Sequence, residues 1–555
     1  MIAKRVVTFD KLWLFFPPKQ FVWYRCGLTN EQLGGEVTEI HERRYYKDHP
    51  DGKRVTDISI KMIDCDGKGF KYGTVERRIE YFEGEKSFSD LEVVPFYLSE
   101  TQGFLRRNFA MRGKKFFEFA NRKHYKEYKG SLLRWKKVDN CVTTEKLMAD
   151  GRIMIDVESF AIMNPDYKFM DNATPPNECD IQLLREKKIY LNDENKFKEK
   201  NHILAPAIVY GFSFTLKEWG CFDVSGIKDI HFNPDVLKSL VMPPEQKDLL
   251  EGLVKEYKNE VVSSSEEVVN PSEKKELYER LVKEYKNGKG NRCKQNEVVN
   301  RSLSKPLDPI AGKGNGCIFL CYGPPGTGKT LTAEAVAEFL RCPLWIISVH
   351  ELGTEPDDVE KKLVKILYIG HEWRAVLLLD EADIYLEKRC SIDLKRNVMV
   401  SIFLRHLEYH QGILFLTTNR ITNFDPAICS RVNMFFHYPK FNREKRKEVW
   451  TRFLNKTQMK LNAEDFIDFE LNGREIRNVL HAANLLAKNQ NIELTADIVM
   501  KAIKNIHYFH EERRIEAKGV EFNSLSMFFL SLTISSFLLV FILYNYTSFW
   551  NSCQC

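Results

Sequence analysis

The sequence has little of what marks metal-binding, secreted or nucleic-acid-binding proteins. Its 13 cysteines are scattered, with neither a CxxC pair nor a His/Cys cluster at zinc-ligand spacing among them. This pattern predicts no structural metal and favours a reducing, cytosolic compartment. The formal net charge of +6 is small for 555 residues, and it argues against the clustered basic surface of a nucleic-acid binder.

Long apolar runs are also scarce. The N-terminus has no apolar stretch before a small-residue cleavage site, so it does not look like a secretory signal. Residues 524–546 are the exception, because they carry no charged side chain over about the 20 residues that a bilayer-spanning helix needs. We predict a single-pass C-terminal membrane anchor there, with nearly the whole chain on the cytosolic side. A buried terminal helix and a tail outside the working protein are the alternatives.

The composition changes along the chain and predicts several domains, as the length also does. Residues 1–240 carry short alternating runs broken by Gly and Asp, which predict a β-rich (α+β) N-terminal domain for binding a partner. Residues 241–305 are polar and repeat "LVKEYKN" at 253–259 and 281–287. We interpret this block as a charged helical linker, with a docking segment as the alternative, because two short copies do not make a solenoid.

The C-terminal half predicts an α/β fold. Residues 306–441 alternate between near-continuous apolar strands and helices, the pattern of a parallel sheet that is covered on both faces. Residues 442–518 are helical in pattern and polar, and they predict a small helical subdomain.

A phosphate-binding motif lies between the apolar run "CIFLCY" and the helix-forming "LTAEAVAEFL". It reads "GPPGTGKT" and matches GxxxxGK[ST], a loop whose glycines let successive backbone N–H groups face phosphates at a helix N-terminus. The lysine would contact the β- and γ-phosphates of ATP, and the final threonine would bind Mg²⁺. A chance Gly-rich turn is the alternative. The predicted nucleotide-binding residues are Gly323, Pro324, Pro325, Gly326, Thr327, Gly328, Lys329 and Thr330.

Two further strands end in polar residues. "AVLLLDEAD" (375–383) ends in Asp380, which would hold Mg²⁺, and Glu381, which would polarise an attacking water. "GILFLTTNR" (412–420) ends in two threonines and Asn419, and a polar side chain at this tip could orient that water. A simple strand-terminal turn is the alternative for the second motif.

These motifs, followed by "FDPAICSRV" and "NGREIRN", resemble those of an AAA+ ATPase of the AAA subgroup over roughly residues 306–510. The resemblance implies a P-loop NTPase sheet with a C-terminal helical lid, Walker A at 323–330, Walker B at Asp380 and Glu381, and sensor 1 at Asn419. It also implies that Arg431 is an arginine finger that reaches a neighbouring subunit's ATP, and hence a homo-oligomer, usually a hexameric ring.

Two arginines of "NGREIRN", Arg474 and Arg477, lie where the family carries a sensor-2 arginine. The resemblance does not choose between them, and a surface salt bridge is the alternative for either. The segments "IEYFEGEKSFSDLEVVPF" and "MADGRIMIDVESFAIMNPDY" also resemble an uncharacterised group of fungal AAA proteins, over most of residues 10–510.

The stretch after the second core strand departs from the family. Many AAA unfoldases carry an aromatic pore loop there, whereas "HELGTEPDDVEKK" (350–362) has no aromatic residue. Leu352 and Gly353 could project into a pore, but Thr354 and Pro356 also fit a helix start. The sequence therefore predicts an ATP hydrolase that remodels a macromolecular partner, without clear support for threading. A nucleotide-gated scaffold with negligible turnover is the alternative, and a nucleic-acid motor is disfavoured.

Overall fold

The computed structural model describes residues 5–26, 29–45, 53–67, 69–99, 101–138, 141–165, 181–183, 199–233, 235–263, 316–389, 393–420, 424–456 and 461–509. The predicted anchor at 524–546 and the second "LVKEYKN" lie outside these residues. No helix within the described ranges is long and apolar enough to cross a membrane. The chain divides into two compact units, the first within Met1–Leu240, Pro244–Tyr322 and Thr330–Phe436, the second within Val241–Pro243, Gly323–Lys329 and His437–Cys555.

Alternating apolar and polar residues build the N-terminal part of the first unit from antiparallel strands. One six-stranded sheet has the order β10-β5-β4-β3-β2-β7, and a five-stranded sheet has the order β12-β11-β9-β8-β13, in which β12 also pairs with β8. The strands are β1 (Val6–Val7), β2 (Phe21–Arg25), β3 (Gln32–Tyr45), β4 (Lys53–Cys65), β5 (Phe70–Glu80), β6 (Lys86–Ser87), β7 (Val93–Pro95), β8 (His124–Val138), β9 (Cys141–Ile155), β10 (Ile181–Leu183), β11 (Ile208–Ser213), β12 (Glu218–Asp223) and β13 (Ile227–Lys228).

One long helix packs among these strands, an element that the period-two pattern did not predict. Its buried residues Leu105, Phe109 and Phe116 recur at helical spacing and face the apolar interior. At Gly113 an added Cβ would lie 1.9 Å from the carbonyl oxygen of His202, so only glycine allows the two helices to approach this closely. The helices of this part are α1 (Gln102–Asn121), α2 (Val157–Met163), α3 (Glu199–Ile203) and α4 (Pro244–Ser263).

The second half of this unit is the predicted parallel sheet. Its order is β15-β16-β17-β14-β18, with parallel pairing of β15 with β16, β16 with β17, and β17 with β14. Its strands are β14 (Cys317–Tyr322), β15 (Leu344–Ile347), β16 (Val376–Leu379), β17 (Ile413–Thr418) and β18 (Met434–His437). Its helices are α5 (Lys329–Leu340), α6 (Val349–Leu352), α7 (Pro356–Glu372), α8 (Asp383–Leu386), α9 (Leu394–Glu408) and α10 (Pro426–Cys429).

Part of the five-stranded antiparallel sheet packs into the apolar core of the parallel sheet, which includes Met154 and Phe212. Phe212 of β11 lies 5.0 Å, between ring centroids, from Trp345 of β15, and Trp219 lies 5.6 Å from Trp373. The indole N–H of Trp373 donates to the buried carboxylate of Asp156 at 2.7 Å. The described residues of the five-stranded sheet and the α/β core are therefore packed against each other within this unit.

The second unit is helical around its own core. Trp450, Phe466, Leu480 and Val499 are among the buried residues that hold its helices together. The helices are α11 (Arg443–Lys456), α12 (Gly473–Asn489) and α13 (residues 496–509). The loop 323–329 belongs to this unit.

Candidate nucleotide-binding site

Three glycines shape the loop of the GPPGTGKT motif. Gly323, Gly326 and Gly328 have φ angles of 144°, 75° and 107°, a region that side chains disfavour. An added Cβ would lie 2.0 Å from the carbonyl oxygen of Tyr438 at the first glycine, and 2.3 Å from the amide oxygen of Asn472 at the second. At Gly328 an added Cβ would meet nothing within 4 Å, so this backbone borders open space.

The lysine of the motif is folded into its own loop. Lys329 is only 8% exposed, and its ammonium group donates to the carbonyl oxygens of Gly323 and Pro324 at 2.8 Å each. The hydroxyl of Thr327 also donates to Pro324, at 2.8 Å. A desolvated cation held this way beside N–H groups at the start of α5 suits an anionic ligand.

The start of α12 supports the same loop. The N–H of Gly473 donates to the carbonyl oxygen of Gly326 at 3.0 Å. Asn472 and Glu475 form a capping box there, in which each side chain accepts from the other residue's backbone N–H. The predicted sensor-2 candidates Arg474 and Arg477 are both exposed on this helix, so the choice between them stays open.

The structure brings together the two predicted Mg²⁺ ligands. The hydroxyl of Thr330 donates to Oδ1 of Asp380 at 3.4 Å, where Asp380 directly follows strand β16. A hydroxyl and one carboxylate are the donor set of an ion that takes its remaining ligands from phosphates and water, as Mg²⁺ usually does. Within the described residues, no group of three or more His, Cys, Asp or Glu side chains could hold a metal by itself.

Glu381 adopts an unusual backbone conformation. Its φ angle is +54°, in the left-handed region that costs a non-glycine residue free energy. Its side chain is exposed, as a residue that meets a substrate water must be. Its N–H donates to the hydroxyl of Thr417 at 3.1 Å, and the next N–H, of Ala382, donates to the carbonyl oxygen of Thr417 at 2.8 Å.

The end of β17 separates into buried and exposed polar residues. Thr417 and Thr418 are 1% exposed, whereas Asn419 is exposed just beyond the strand. The Thr417 hydroxyl donates to Oδ1 of Asp380, while that of Thr418 donates to Asp383 at 3.0 Å. From the sequence, both threonines were predicted only to end the strand. The signal for their contacts was the pair of hydroxyl groups at the end of β17, the strand next to β16, which precedes Asp380.

Arg431 forms hydrogen bonds with three residues of its own chain. Its guanidinium group donates to Oε2 of Glu408 at 3.0 Å and to the carbonyl oxygens of Leu404 and Ala427 at 3.1 and 3.0 Å. The role of arginine finger therefore stays a prediction, and Glu408 is a partner that sequence reasoning missed.

The stretch 350–362, in which the sequence allowed a pore loop, consists of the end of α6, the short connection 353–355 and the start of α7. Leu352 is fully buried in the core of the first unit, so the suggestion that it projects into a pore is wrong. The hydroxyl of Tyr385 donates to the carbonyl oxygen of Gly353 at 3.0 Å, and burial raises the pKa of Tyr385 to about 12. Helix α7 begins with Pro356 in its first turn, as the helix-start interpretation requires.

Comparison with known families agrees with this geometry. Residues 319–440 match the family described as "ATPase family associated with various cellular activities (AAA)". Over this range the chain is similar to AAA ATPases. Residues 1–100 match a second family, described as a domain of unknown function (DUF7025). The range matched by the AAA family includes most of β14, the phosphate loop, Asp380, Glu381 and β17.

Three relatives show how far the similarity extends. "ATPase family AAA domain-containing protein 3B" of Homo sapiens is 33% identical over 185 residues, which are 28% of this chain and 28% of that protein. "26S proteasome regulatory subunit 8 homolog" of Encephalitozoon cuniculi is 28% identical over 208 residues, 34% of this chain and 52% of that protein. "Proteasome-activating nucleotidase" of Saccharolobus solfataricus is 25% identical over 392 residues, 62% of this chain and 96% of that protein. The first two are matched over about half of their length or less.

Proposed function

We propose that this chain hydrolyses ATP and uses the energy to remodel a macromolecular partner. The observation that carries the proposal is the cluster of Thr330, Asp380, Glu381 and Thr417 at the carboxyl ends of neighbouring parallel strands. Ligands of α/β sheets bind at this edge. The match of residues 319–440 to AAA ATPases supports the same chemistry.

Each residue has a distinct task in the proposed reaction. The N–H groups of loop 323–330 and the ammonium group of Lys329 bind the β- and γ-phosphates. Thr330 and Asp380 would hold Mg²⁺, which when bound neutralises charge on the phosphate oxygens. Glu381 accepts the proton of the attacking water, and Asn419 orients that water.

We also propose that the active form is a homo-oligomeric ring, most simply a hexamer, in which Arg431 reaches a neighbour's ATP. The support is the position of Arg431 between β17 and β18, within the range that matches the AAA family. In this arrangement Arg431 exchanges the Glu408 carboxylate for the phosphate of the adjoining subunit. Replacing Arg431 by Lys keeps the charge but loses the planar donor set, so turnover should fall while ATP binding remains.

The experiment that tests hydrolysis compares full-length wild type with Glu381→Gln and Lys329→Ala, measuring steady-state turnover and ATP affinity. We expect Glu381→Gln to bind ATP while turning over at least about 100-fold more slowly, the loss typical of a removed general base. Lys329→Ala should lose affinity. Turnover unaffected by Glu381→Gln would remove the assignment.

The alternative, a nucleotide-gated scaffold, makes the opposite forecast in the same assay. Wild type would then bind ATP and turn it over no faster than Glu381→Gln. Added single-stranded DNA or RNA should leave turnover unchanged, because the chain lacks a basic-aromatic stripe. A several-fold stimulation would favour a nucleic-acid motor instead.

The partner can be sought with the same variant. Glu381→Gln should hold ATP and its partner together, so crosslinking in cells and identification of bound proteins gives candidates. We propose that residues 1–240 bind this partner. The resemblance to fungal AAA proteins stays a prediction from the sequence.

We further propose that residues 524–546 anchor the chain in a membrane, on the strength of their uncharged sequence. Removal of residues 522–555 should release the protein from the membrane fraction. If the full-length chain is already in the supernatant, the anchor is excluded.

A further inference from the structure

We propose that Thr417 is a positioning residue of the ATPase site, whose hydroxyl holds the Asp380 carboxylate and the Glu381 backbone in the arrangement that Mg²⁺ binding and hydrolysis require. This inference rests on the proposed ATPase function. Thr417 itself is buried and need not touch the nucleotide.

The sheet order places Thr417 beside the acidic turn. Strands β16 and β17 are parallel neighbours, and Leu379 pairs with Leu416. Asp380 and Thr417 are the next residues along the two strands, so they also lie side by side. Side chain and main chain of Thr417 then bind three consecutive residues. The hydroxyl donates to Oδ1 of Asp380 and accepts from the N–H of Glu381 at 3.1 Å, and the carbonyl oxygen accepts from Ala382 at 2.8 Å.

The double role of this hydroxyl explains why the contact matters. Glu381 has a φ angle of +54°, a conformation that persists only where surrounding contacts hold it. The hydrogen bond from its N–H to Thr417 is such a contact. The same hydroxyl donates a hydrogen bond to the carboxylate of Asp380. One side chain therefore orients both the proposed metal ligand and the proposed base. Valine has the shape of threonine but can neither donate nor accept.

Asp380 is thereby fixed before a ligand arrives. Its Oδ1 accepts from Thr417 and, at 3.4 Å, from Thr330. Asp380 is partly buried. Without these hydrogen bonds its carboxylate could adopt other orientations and would have to rotate before it could bind a cation. Hydrogen bonds that orient a metal ligand from behind commonly change metal affinity by about 10- to 100-fold when removed.

Thr418 provides a matched comparison. It is the next residue, is equally buried, and its hydroxyl donates to Asp383 at 3.0 Å and accepts from the N–H of Arg420 at 2.9 Å. Loss of this hydroxyl also removes hydrogen bonds from the end of β17. It does not remove one from Asp380 or Glu381.

The test measures Thr417→Val, Thr417→Ser and Thr418→Val against wild type in the full-length protein. Two quantities are followed: the gain in ATP affinity on adding Mg²⁺, and the dependence of turnover on Mg²⁺ concentration. We expect Thr417→Val to reduce the Mg²⁺-dependent gain in affinity by about 10-fold or more and to lower kcat by a similar factor. ATP affinity without Mg²⁺ should stay near that of wild type.

Thr417→Ser keeps the hydroxyl and should restore both quantities to within about threefold of wild type. Thr418→Val should shift the melting temperature about as much as Thr417→Val while leaving the Mg²⁺ dependence nearer to wild type. Equal Mg²⁺ responses of Thr417→Val and wild type would overturn the inference, as would equal responses of the Val and Ser variants. If wild type binds Mg²⁺·ATP without turnover, the proposed function fails, and the affinity measurement still decides the role of Thr417.

Discussion

Replacing Trp373 by phenylalanine would test how the N-terminal strands are joined to the ATPase core. Its indole N–H is 2.7 Å from Oδ2 of Asp156, which is 3% exposed and also accepts from the N–H and hydroxyl of Ser159 at 3.0 and 2.5 Å. Lys123 completes the surroundings, with its ammonium group 3.9 Å from the same oxygen and 2.8 Å from Glu372. The carboxylate is therefore held by donors from both parts of the first unit.

The size of the effect follows from the charge of the acceptor. Burial lowers the pKa of Lys123, but the nearby carboxylates of Asp156 and Glu372 raise it more, so the pKa lies above its ordinary value and the lysine stays charged. A hydrogen bond to a charged group is worth about 1.5–3 kcal/mol, and the smaller phenylalanine ring also loses some packing. We expect Trp373→Phe to destabilise the first unit by about 2–4 kcal/mol.

The measurement is the urea midpoint of the full-length chain, followed by far-UV circular dichroism because the substitution alters tryptophan fluorescence. Trp219→Phe is the matched control. Its ring packs 5.6 Å from that of Trp373 in the same cluster, and among the described residues its indole N–H donates to no buried carboxylate. If the two variants have midpoints that agree within error, the hydrogen bond to Asp156 does not hold the two parts together and the reasoning is wrong.

Two further outcomes are expected. Gly323→Ala should lower ATP affinity by about 10-fold or more and also lower thermal stability, because its Cβ would overlap the carbonyl oxygen of Tyr438. Gly328→Ala should weaken ATP binding with a smaller loss of stability, since its Cβ would meet no protein atom. Calorimetry of both variants checks this contrast. Burial, together with the neighbouring His371, lowers the pKa of His410 to about 4. Between about pH 4 and 6.5 the unfolded chain therefore binds more protons than the folded chain. The free energy of unfolding should fall by up to about 3 kcal/mol as the pH falls through that window. His410→Phe should flatten this pH dependence of the unfolding free energy, and an unchanged slope would contradict it.

The sequence predicted the α/β core because buried parallel strands are apolar along their whole length. "CIFLCY" and "AVLLLD" therefore stood out, and the polar residues after them marked the edge where ligands bind. Thr330 and Asp380 were both predicted to bind Mg²⁺, and the Thr330 hydroxyl lies 3.4 Å from Oδ1 of Asp380, while the binding of the metal stays a prediction. The spacing of the motifs was sufficient to predict these positions, because each motif directly follows an apolar strand whose sequence alone identifies it.

The contacts that escaped prediction depend on strand order and long-range packing. Thr417 meets Asp380 only because β17 lies next to β16, although helix α9 separates them in the chain. The alternation of apolar residues predicted that the N-terminal residues are rich in strands. It did not predict which of their aromatic side chains pack against Trp345 of the parallel sheet. Likewise, nothing local to Arg431 indicated its ion pair with Glu408.

The aromatic cluster around Phe212, Trp345 and Trp373 bears on how such a chain can evolve. An adaptor joined by a flexible tether can be exchanged for another while its motor stays intact. Here Trp345 of the edge strand β15 and Trp373 after helix α7 would be exposed to water if the first 240 residues were deleted, and exposed patches of this kind promote aggregation. The N-terminal strands and the α/β core are thus inherited as one piece, because a change in either has to preserve the packing between them.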